Sequence, residues 1–60
     1  MKYYMEVKVY NAIKSAYEWK KVKPTNGEPY EYNSHEEAYK MLDNCYPFEV
    51  YGKSVKITSN

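Results

Sequence analysis

Arginine is absent from this chain. All nine basic residues are lysines, and eight acidic residues leave a formal net charge of only +1. Lysine lacks the planar fork with which arginine makes bidentate contacts to phosphate and guanine. Dedicated nucleic-acid binders are usually more basic than this and contain arginine. The composition therefore disfavours a dedicated nucleic-acid-binding protein, and for the same reason it disfavours a polybasic membrane anchor.

Cysteine, histidine and glycine are also scarce, which limits the chemistry of any site. The single cysteine cannot form an internal disulfide, and one cysteine with one histidine cannot supply the four ligands of a closed zinc site. The two glycines both lie in turn sequences, so no glycine-rich phosphate loop exists. We therefore expect no metal and no other cofactor.

The side chains that could act in catalysis have simpler interpretations. Glu36 and Glu37 are neighbours on a predicted helix and point about 100° apart, which prevents them from working as a pair. His35 has no nucleophile or acid at a fixed spacing. Cys45 falls on an apolar helix stripe, where we expect a small buried thiol. These patterns indicate a protein that is not an enzyme.

Long hydrophobic runs are missing as well. No segment approaches the roughly 20 apolar residues of a membrane span. The opening sequence Met-Lys-Tyr-Tyr-Met-Glu carries charges that would interrupt the apolar region of a signal peptide. Together with the unpaired cysteine, this pattern predicts a cytoplasmic protein that does not contact a membrane.

Aromatic side chains are the abundant component: nine tyrosines, one tryptophan and one phenylalanine in 60 residues. Residues 1–60 form a single domain, and a chain of this length is only marginally able to bury a core. Large rings can compensate, since each buries roughly 150–250 Å². Oligomerisation is the other means of stabilisation, and we expect a homodimer.

Two strands are predicted in the first third of the chain. Residues 3–10 alternate with period two, which is typical of a half-buried strand. Residues 11–23 favour a hairpin loop and a returning strand over a helix capped by Asn11, since aromatic and β-branched residues dominate after Ala16. Tyr17 and Trp19 would then share a face and could enter the core, and a bulge at Lys20–Lys21 would bring Val22 into phase.

The best-specified element is a helix that begins after Ser34. Ser34 is a good N-cap, and Glu37 three residues later completes a capping box. Pro47 ends the helix, and a turn at Asn26-Gly27 lies upstream of it. Apolar residues follow the cap at i, i+3, i+4 and i+7 and predict a buried stripe: Ala38, Met41, Leu42 and Cys45.

The remaining residues, 48–58, have two interpretations. We favour a hairpin with Gly52-Lys53 at its turn, which sets Phe48 opposite Ile57, Val50 opposite Val55 and Glu49 opposite Lys56. The alternative is a loop to Gly52 followed by one strand over 54–58. Either way the fold class is α+β: an antiparallel sheet of three to five short strands with one helix packed on one face, in the order ββ(β)αβ(β).

More aromatic surface is present than one helix can cover. Tyr4 and Tyr10 lie on the face of the first strand opposite Met5, together with charged neighbours. Exposed tyrosine near lysine is typical of protein interfaces, although it also suits stacking on single-stranded nucleic acid or simply covering a small sheet. The predicted interface comprises Tyr4, Glu6, Lys8, Tyr10, Trp19, Lys20, Lys21, Tyr30 and Tyr32.

Three runs of the sequence carry a resemblance: residues 18–22, residues 29–38 and Met41-Leu42. They are similar to very small proteins of bacteriophages and other mobile elements, in which a β-hairpin precedes an aromatic-x-Ser/Thr-x-Glu-Glu-Ala helix and a last strand. The likeness spans residues 3–57, but this chain differs in lacking arginine and in its tyrosine-rich sheet. The resemblance implies an accessory protein that binds and inhibits a bacterial host protein, such as a defence-system component, in the host cytoplasm.

Overall fold

The computed structural model describes all 60 residues and contains three strands and one helix. The elements are β1 (Tyr3–Asn11), β2 (Ala16–Lys21), α1 (His35–Cys45) and β3 (Val55–Ser59). The strands form one antiparallel sheet in the order β2-β1-β3, with β1 in the centre. The predicted α+β class, with one helix on one face of an antiparallel sheet, is confirmed.

The β1–β2 hairpin confirms the strand interpretation of residues 11–23 and shows that the helical alternative is wrong. Asn11 begins the connection, because its side-chain oxygen accepts hydrogen bonds from the backbone amides of Ile13, at 3.0 Å, and Lys14, at 3.3 Å. Ser15 adopts a φ of 53° before the chain returns as β2. Such side-chain-to-backbone bonds give asparagine its preference for turns.

The predicted bulge at Lys20–Lys21 is absent, and the predicted core position of Tyr17 and Trp19 is wrong. Lys20 lies opposite Val7 in a regular register, and the Val22 amide continues the ladder to the Met5 carbonyl at 2.9 Å. Successive side chains on a strand point to opposite faces. Val22 therefore faces the core, whereas Tyr17 and Trp19 face away from the helix.

The connection to α1 returns to the sheet before the helix begins. Tyr32 pairs with Tyr3 through two backbone hydrogen bonds of 2.9 Å, and the Tyr30 amide donates to the Val22 carbonyl at 3.2 Å. The bonds to Tyr3 occupy the edge of β1 beyond the end of β2, and the bond to Val22 ties the same segment to the residue that follows β2. Tyr32 thus forms an isolated bridge at the sheet edge.

Helix α1 starts as predicted. Ser34 has extended backbone angles, and its hydroxyl accepts a hydrogen bond from the Glu37 amide at 3.1 Å. The Glu37 carboxylate in turn accepts from the Asn33 amide at 3.3 Å, one residue before the N-cap. At the other end, the Tyr46 amide donates to the Leu42 carbonyl at 2.8 Å, and Pro47 prevents continuation.

The core is small and lies between α1, β1 and β3. Only four residues are fully buried: Met5, Ala38, Leu42 and Val55. Half-buried side chains surround this cluster: Val7, Val22, Tyr32, Tyr46 and Ile57. Because α1 contacts β1 and β3 but not β2, the helix covers only two of the three strands.

The predicted helix stripe is too wide, and the prediction that Cys45 is buried is wrong. Cys45 is exposed, Met41 is 38% exposed and Tyr39 is 46% exposed. A short helix lying on two strands presents only a narrow contact line to the sheet. Residues four apart, Ala38 and Leu42, occupy that line, and the positions beside it remain in solvent.

The hairpin predicted for residues 48–57 is wrong, whereas the alternative of a loop followed by one strand is confirmed. Phe48 is 95% exposed and Val50 is 57% exposed, so neither packs across from the last strand. β3 pairs with β1 instead, which places Val55 opposite Val7 and completes the core. Gly52 has a φ of 89°, a backbone conformation that glycine adopts without strain.

Candidate binding face

The sheet face away from α1 carries the candidate site, and we name it the open face. Alternation along β1 places Met5 and Val7 toward the helix and the even-numbered residues on the other side. The strand registers add side chains from β2 and β3 to that side. The open face consists of Tyr4, Glu6, Lys8, Tyr10, Tyr17, Trp19, Lys21, Lys56 and Thr58.

One end of the open face is an exposed pair of tyrosines. Tyr10 lies directly opposite Tyr17, with ring centroids 5.2 Å apart and an interplanar angle of 69°. This edge-to-face arrangement is favoured by the quadrupoles of the two rings. Tyr10 is 56% exposed and Tyr17 is 65% exposed, so both rings present most of their surface to solvent.

Lysines lie over the rings along the rest of this face. The Lys21 ammonium is 4.0 Å from the centroid of the Tyr4 ring, and the Lys56 ammonium is 4.3 Å from that of the Trp19 ring. Both distances are well within the range of about 6 Å over which a cation is attracted to an aromatic face. The lysines therefore cover ring surface while keeping positive charge at the solvent boundary.

Glu6 is the single acidic residue at the centre of this array. It lies opposite Lys21 on one neighbouring strand and Lys56 on the other. Its carboxylate accepts a hydrogen bond from the Thr58 hydroxyl at 2.7 Å, and the ion pairs of the structure involve Glu18 rather than Glu6. The two lysines thus contact aromatic rings, and the open face keeps an excess of positive charge.

A third lysine, Lys8, lies near two rings and links the two ends of the face. The Lys8 ammonium is 5.5 Å from the Tyr17 ring centroid and 6.0 Å from that of Trp19. Lys8 itself is exposed. Rings and cations consequently alternate across neighbouring strands, which gives a continuous surface of aromatic area and positive charge.

The structure brings six of the predicted interface residues together on the open face: Tyr4, Glu6, Lys8, Tyr10, Trp19 and Lys21. The other three lie elsewhere. Lys20 is on the helix-side surface of β2, with its ammonium 3.5 Å from the Glu18 carboxylate. Tyr30 is exposed in the loop before α1, and Tyr32 is half-buried against the core.

The surroundings of Tyr32 indicate that it contributes to the core rather than to a binding surface. Burial raises the pKa of its phenol above the ordinary value of 10.0, and Cys45, Tyr30 and Glu37 add to this shift because their negative forms disfavour a phenolate. The Tyr32 ring packs against the cluster of Met5, Leu42 and Val55. It is therefore not available to a partner in the way that Tyr10 is.

Sequence reasoning missed Tyr17, Lys56 and Thr58 as members of the open face. The sequence does indicate Tyr17, because Tyr17 and Trp19 are two residues apart and point to the same face of a strand, and Trp19 belongs to the predicted interface. Lys56 was assigned to a cross-strand pair with Glu49. In the structure, Glu49 accepts a hydrogen bond from the Ser54 hydroxyl at 2.6 Å within its own loop, and Lys56 is free to lie over Trp19.

Comparisons with protein-family models, curated proteins and solved structures found no match. Within the structure, no three His, Cys, Asp or Glu side chains are grouped so that they could hold a metal ion. Its single helix, α1, lacks the length and apolar character needed to cross a bilayer. The open face is therefore the feature of the molecule from which a function can be inferred.

Proposed function

We propose that this protein is a non-enzymatic binding protein that docks onto a larger protein through the open face. The observation that carries the proposal is the uncovered pair of Tyr10 and Tyr17 beside Trp19 and three lysines. Tyrosine and tryptophan provide contact area and a polar group at a low entropic cost, and they are enriched in the centres of interfaces.

The chemistry of the open face also describes the surface it would bind. Lys8, Lys21 and Lys56 outnumber Glu6, so the complementary surface is acidic. The exposed rings at the Tyr10 end require an apolar or aromatic patch beside that acidic surface. We infer a partner protein that presents both.

The resemblance described for residues 3–57 supports a host protein as the partner. A phage-encoded or mobile-element protein of this kind would act in the cytoplasm of the bacterial host. There it would inhibit its target, such as a defence-system component, by occupying the target's binding surface. No residue role transfers from the resemblance, so the proposed interface consists of open-face residues only.

A pull-down from bacterial lysate tests the proposal. The bait is the wild-type chain, and the test variant is Tyr10→Ala with Tyr17→Ala. The matched control is Tyr30→Ala with Tyr39→Ala, which removes two tyrosines of 47% and 46% exposure that lie off the open face. We expect the wild type and the control to retain the same protein, identified by mass spectrometry, and the open-face variant to lose it.

The second candidate is single-stranded nucleic acid, which the aromatic rings on neighbouring strands and the surrounding lysines favour. Base stacking on Tyr4 and Trp19 would first require displacement of Lys21 and Lys56 from their ring faces, and for that reason we place it second.

Nuclease treatment and salt distinguish the two candidates. Binding to nucleic acid through lysine weakens steeply with salt, whereas an aromatic protein interface is much less sensitive. Capture that disappears with nuclease, or retention of the partner by the folded open-face variant, would contradict the proposed function.

A further inference from the structure

The outer edge of β2 is a free strand edge with a defined pattern of backbone groups. β2 is the terminal strand of the sheet, and its only neighbour is β1. The Val22 amide donates to Met5 of β1, so the even-numbered residues of β2 direct their backbone groups inward. The amides and carbonyls of Tyr17, Trp19 and Lys21 therefore point outward from the sheet.

No other element obstructs this edge. Helix α1 contacts β1 and β3 but makes no contact with β2. On the helix side of β2, Lys20 is exposed and Glu18 is partly exposed. A strand placed alongside β2 would thus meet backbone hydrogen-bonding groups and accessible side chains on both faces.

The charges of β2 are self-complementary in one antiparallel register. When two copies pair about a two-fold axis at Trp19, Glu18 of each copy lies opposite Lys20 of the other. Tyr17 then lies opposite Lys21, and Trp19 faces Trp19. Every charged residue of the strand meets either an opposite charge or an aromatic ring.

The other two-fold registers lack this complementarity. An axis at Glu18 or at Lys20 sets that residue against its own copy, and an axis at Lys21 does the same for a lysine. Like charges directly opposite each other destabilise a strand pair. An axis at Tyr17 runs the turn residues 12–15 alongside the second half of the strand and leaves Lys20 and Lys21 without partners.

We propose that two copies of this chain associate edge to edge through β2, with the two-fold axis at Trp19, to form one continuous six-stranded antiparallel sheet. Lysines on an edge strand usually discourage such pairing. In this register Lys20 lies opposite a carboxylate and Lys21 opposite an aromatic ring, so both lysines make favourable contacts with the other copy. The two open faces merge into one surface, although the dimer itself does not depend on the proposed function.

Light scattering coupled to size exclusion tests the dimer over a series of protein concentrations. We expect a mass that rises with concentration from the 7.2 kDa of one chain toward twice that value. A short edge-to-edge interface is small, so the dimer should dissociate on dilution. A single 7.2 kDa species up to millimolar concentration would overturn the proposal.

Charge reversal tests the register. Glu18→Lys places lysine against lysine across the axis, and Lys20→Glu places glutamate against glutamate, so each variant alone should weaken dimerisation roughly tenfold or more. Lys40→Glu, which makes the same charge change as Lys20→Glu but on the exposed surface of α1, should leave the dimer unchanged. Circular dichroism confirms that each variant is folded.

Mixing the two single variants gives the decisive result. A chain with Glu18→Lys and a chain with Lys20→Glu are complementary in the proposed register. Their mixture should therefore form a heterodimer at concentrations at which each variant alone is monomeric. The double variant, with both changes in one chain, should recover the homodimer. A dimer that is insensitive to the single changes, or that is not restored by mixing, would place the interface on another surface.

Discussion

The two faces of the sheet differ in what covers them, although both carry large side chains. The helix-side face holds Met5 and Val55, which are buried under Leu42 of α1. The open face holds Tyr10 and Tyr17, which are more than half exposed, and no element packs on them. The same central strand therefore belongs to a protein core on one side and to a solvent-facing aromatic layer on the other.

This difference shows how a small chain divides its stabilisation between two kinds of contact. None of the four buried residues is aromatic, so the aromatic mass does not form the centre of the core. The rings instead interact with one another and with lysines on an exposed surface. Such contacts are individually modest, which leaves these rings available to a partner.

Leu42→Ala should produce the largest loss of stability, because it removes the helix residue at the centre of the covered face. Truncating a buried leucine costs about 2–5 kcal/mol. A 60-residue domain has little stability in reserve, so we expect the variant to be largely unfolded at room temperature. Urea denaturation followed by circular dichroism measures this change.

Met41→Ala is the matched control for that experiment. Met41 is the preceding residue on the same helix, but it is 38% exposed and lies beside the contact line. We expect a loss below about 1 kcal/mol, because little buried surface is removed. Equal losses for the two variants would contradict the assignment of the core to the line of Ala38 and Leu42.

The elements with local signals could be predicted from the sequence. The cap at Ser34 and Glu37 and the proline after Tyr46 fix the helix through contacts within a few residues. The alternation in β1 likewise gives the strand and its two faces directly. That alternation alone places four residues on the open face: Tyr4, Glu6, Lys8 and Tyr10.

The remaining features depend on contacts that are distant in sequence. β3 could form a hairpin with the segment just before it or pair with β1. The local sequence pattern favoured the hairpin, because Phe48 and Val50 are apolar. The pairing of Val55 with Val7 spans most of the chain, and it decides that Lys56 lies on the open face. The face of Tyr17 and Trp19 was equally hard to predict, because Val22 has the opposite strand parity and is also apolar, so either face could have supplied the core.

Ser34→Ala should have the next largest effect, since it weakens the helix that covers one face and leaves the open face unaltered. Loss of an N-cap hydroxyl costs about 1 kcal/mol. Thermal or urea unfolding measures this cost, and Ser34→Asp should restore most of the stability because aspartate also caps well. Equal destabilisation by alanine and aspartate would show that the hydrogen bond to the Glu37 amide is not what stabilises the helix.

The coupling between Tyr10 and Tyr17 should be smaller still. A double-mutant cycle with alanine at each position should give about 0.5 kcal/mol, the low end for aromatic pairs, because both rings are mostly exposed. Urea denaturation of the four proteins provides the measurement. A coupling energy as large as the loss of stability for Leu42→Ala would show that the Tyr10–Tyr17 contact is needed for folding. That result would contradict the view that these rings are free to bind a partner.

The smallest effect concerns Glu18, which is on the helix side of β2 but beyond the reach of α1. A hydrogen bond from the Asn11 amide group at 3.3 Å lowers the pKa of Glu18 below its usual 4.5, and Lys14 and Lys20 add to this effect. Because the pKa is lower in the folded state, the contribution to stability is present at neutral pH. It is lost as the pH falls through the folded-state pKa.

Asn11→Ala should therefore raise the pKa of Glu18 toward its usual value and reduce the dependence of stability on acid. Carboxyl-carbon NMR titration of the two proteins measures the shift directly. Asn44→Ala, which removes an exposed asparagine on α1, should leave the titration unchanged. A Glu18 that titrates at its usual pKa in the wild type would contradict this prediction, because it would show that Asn11, Lys14 and Lys20 do not stabilise the carboxylate.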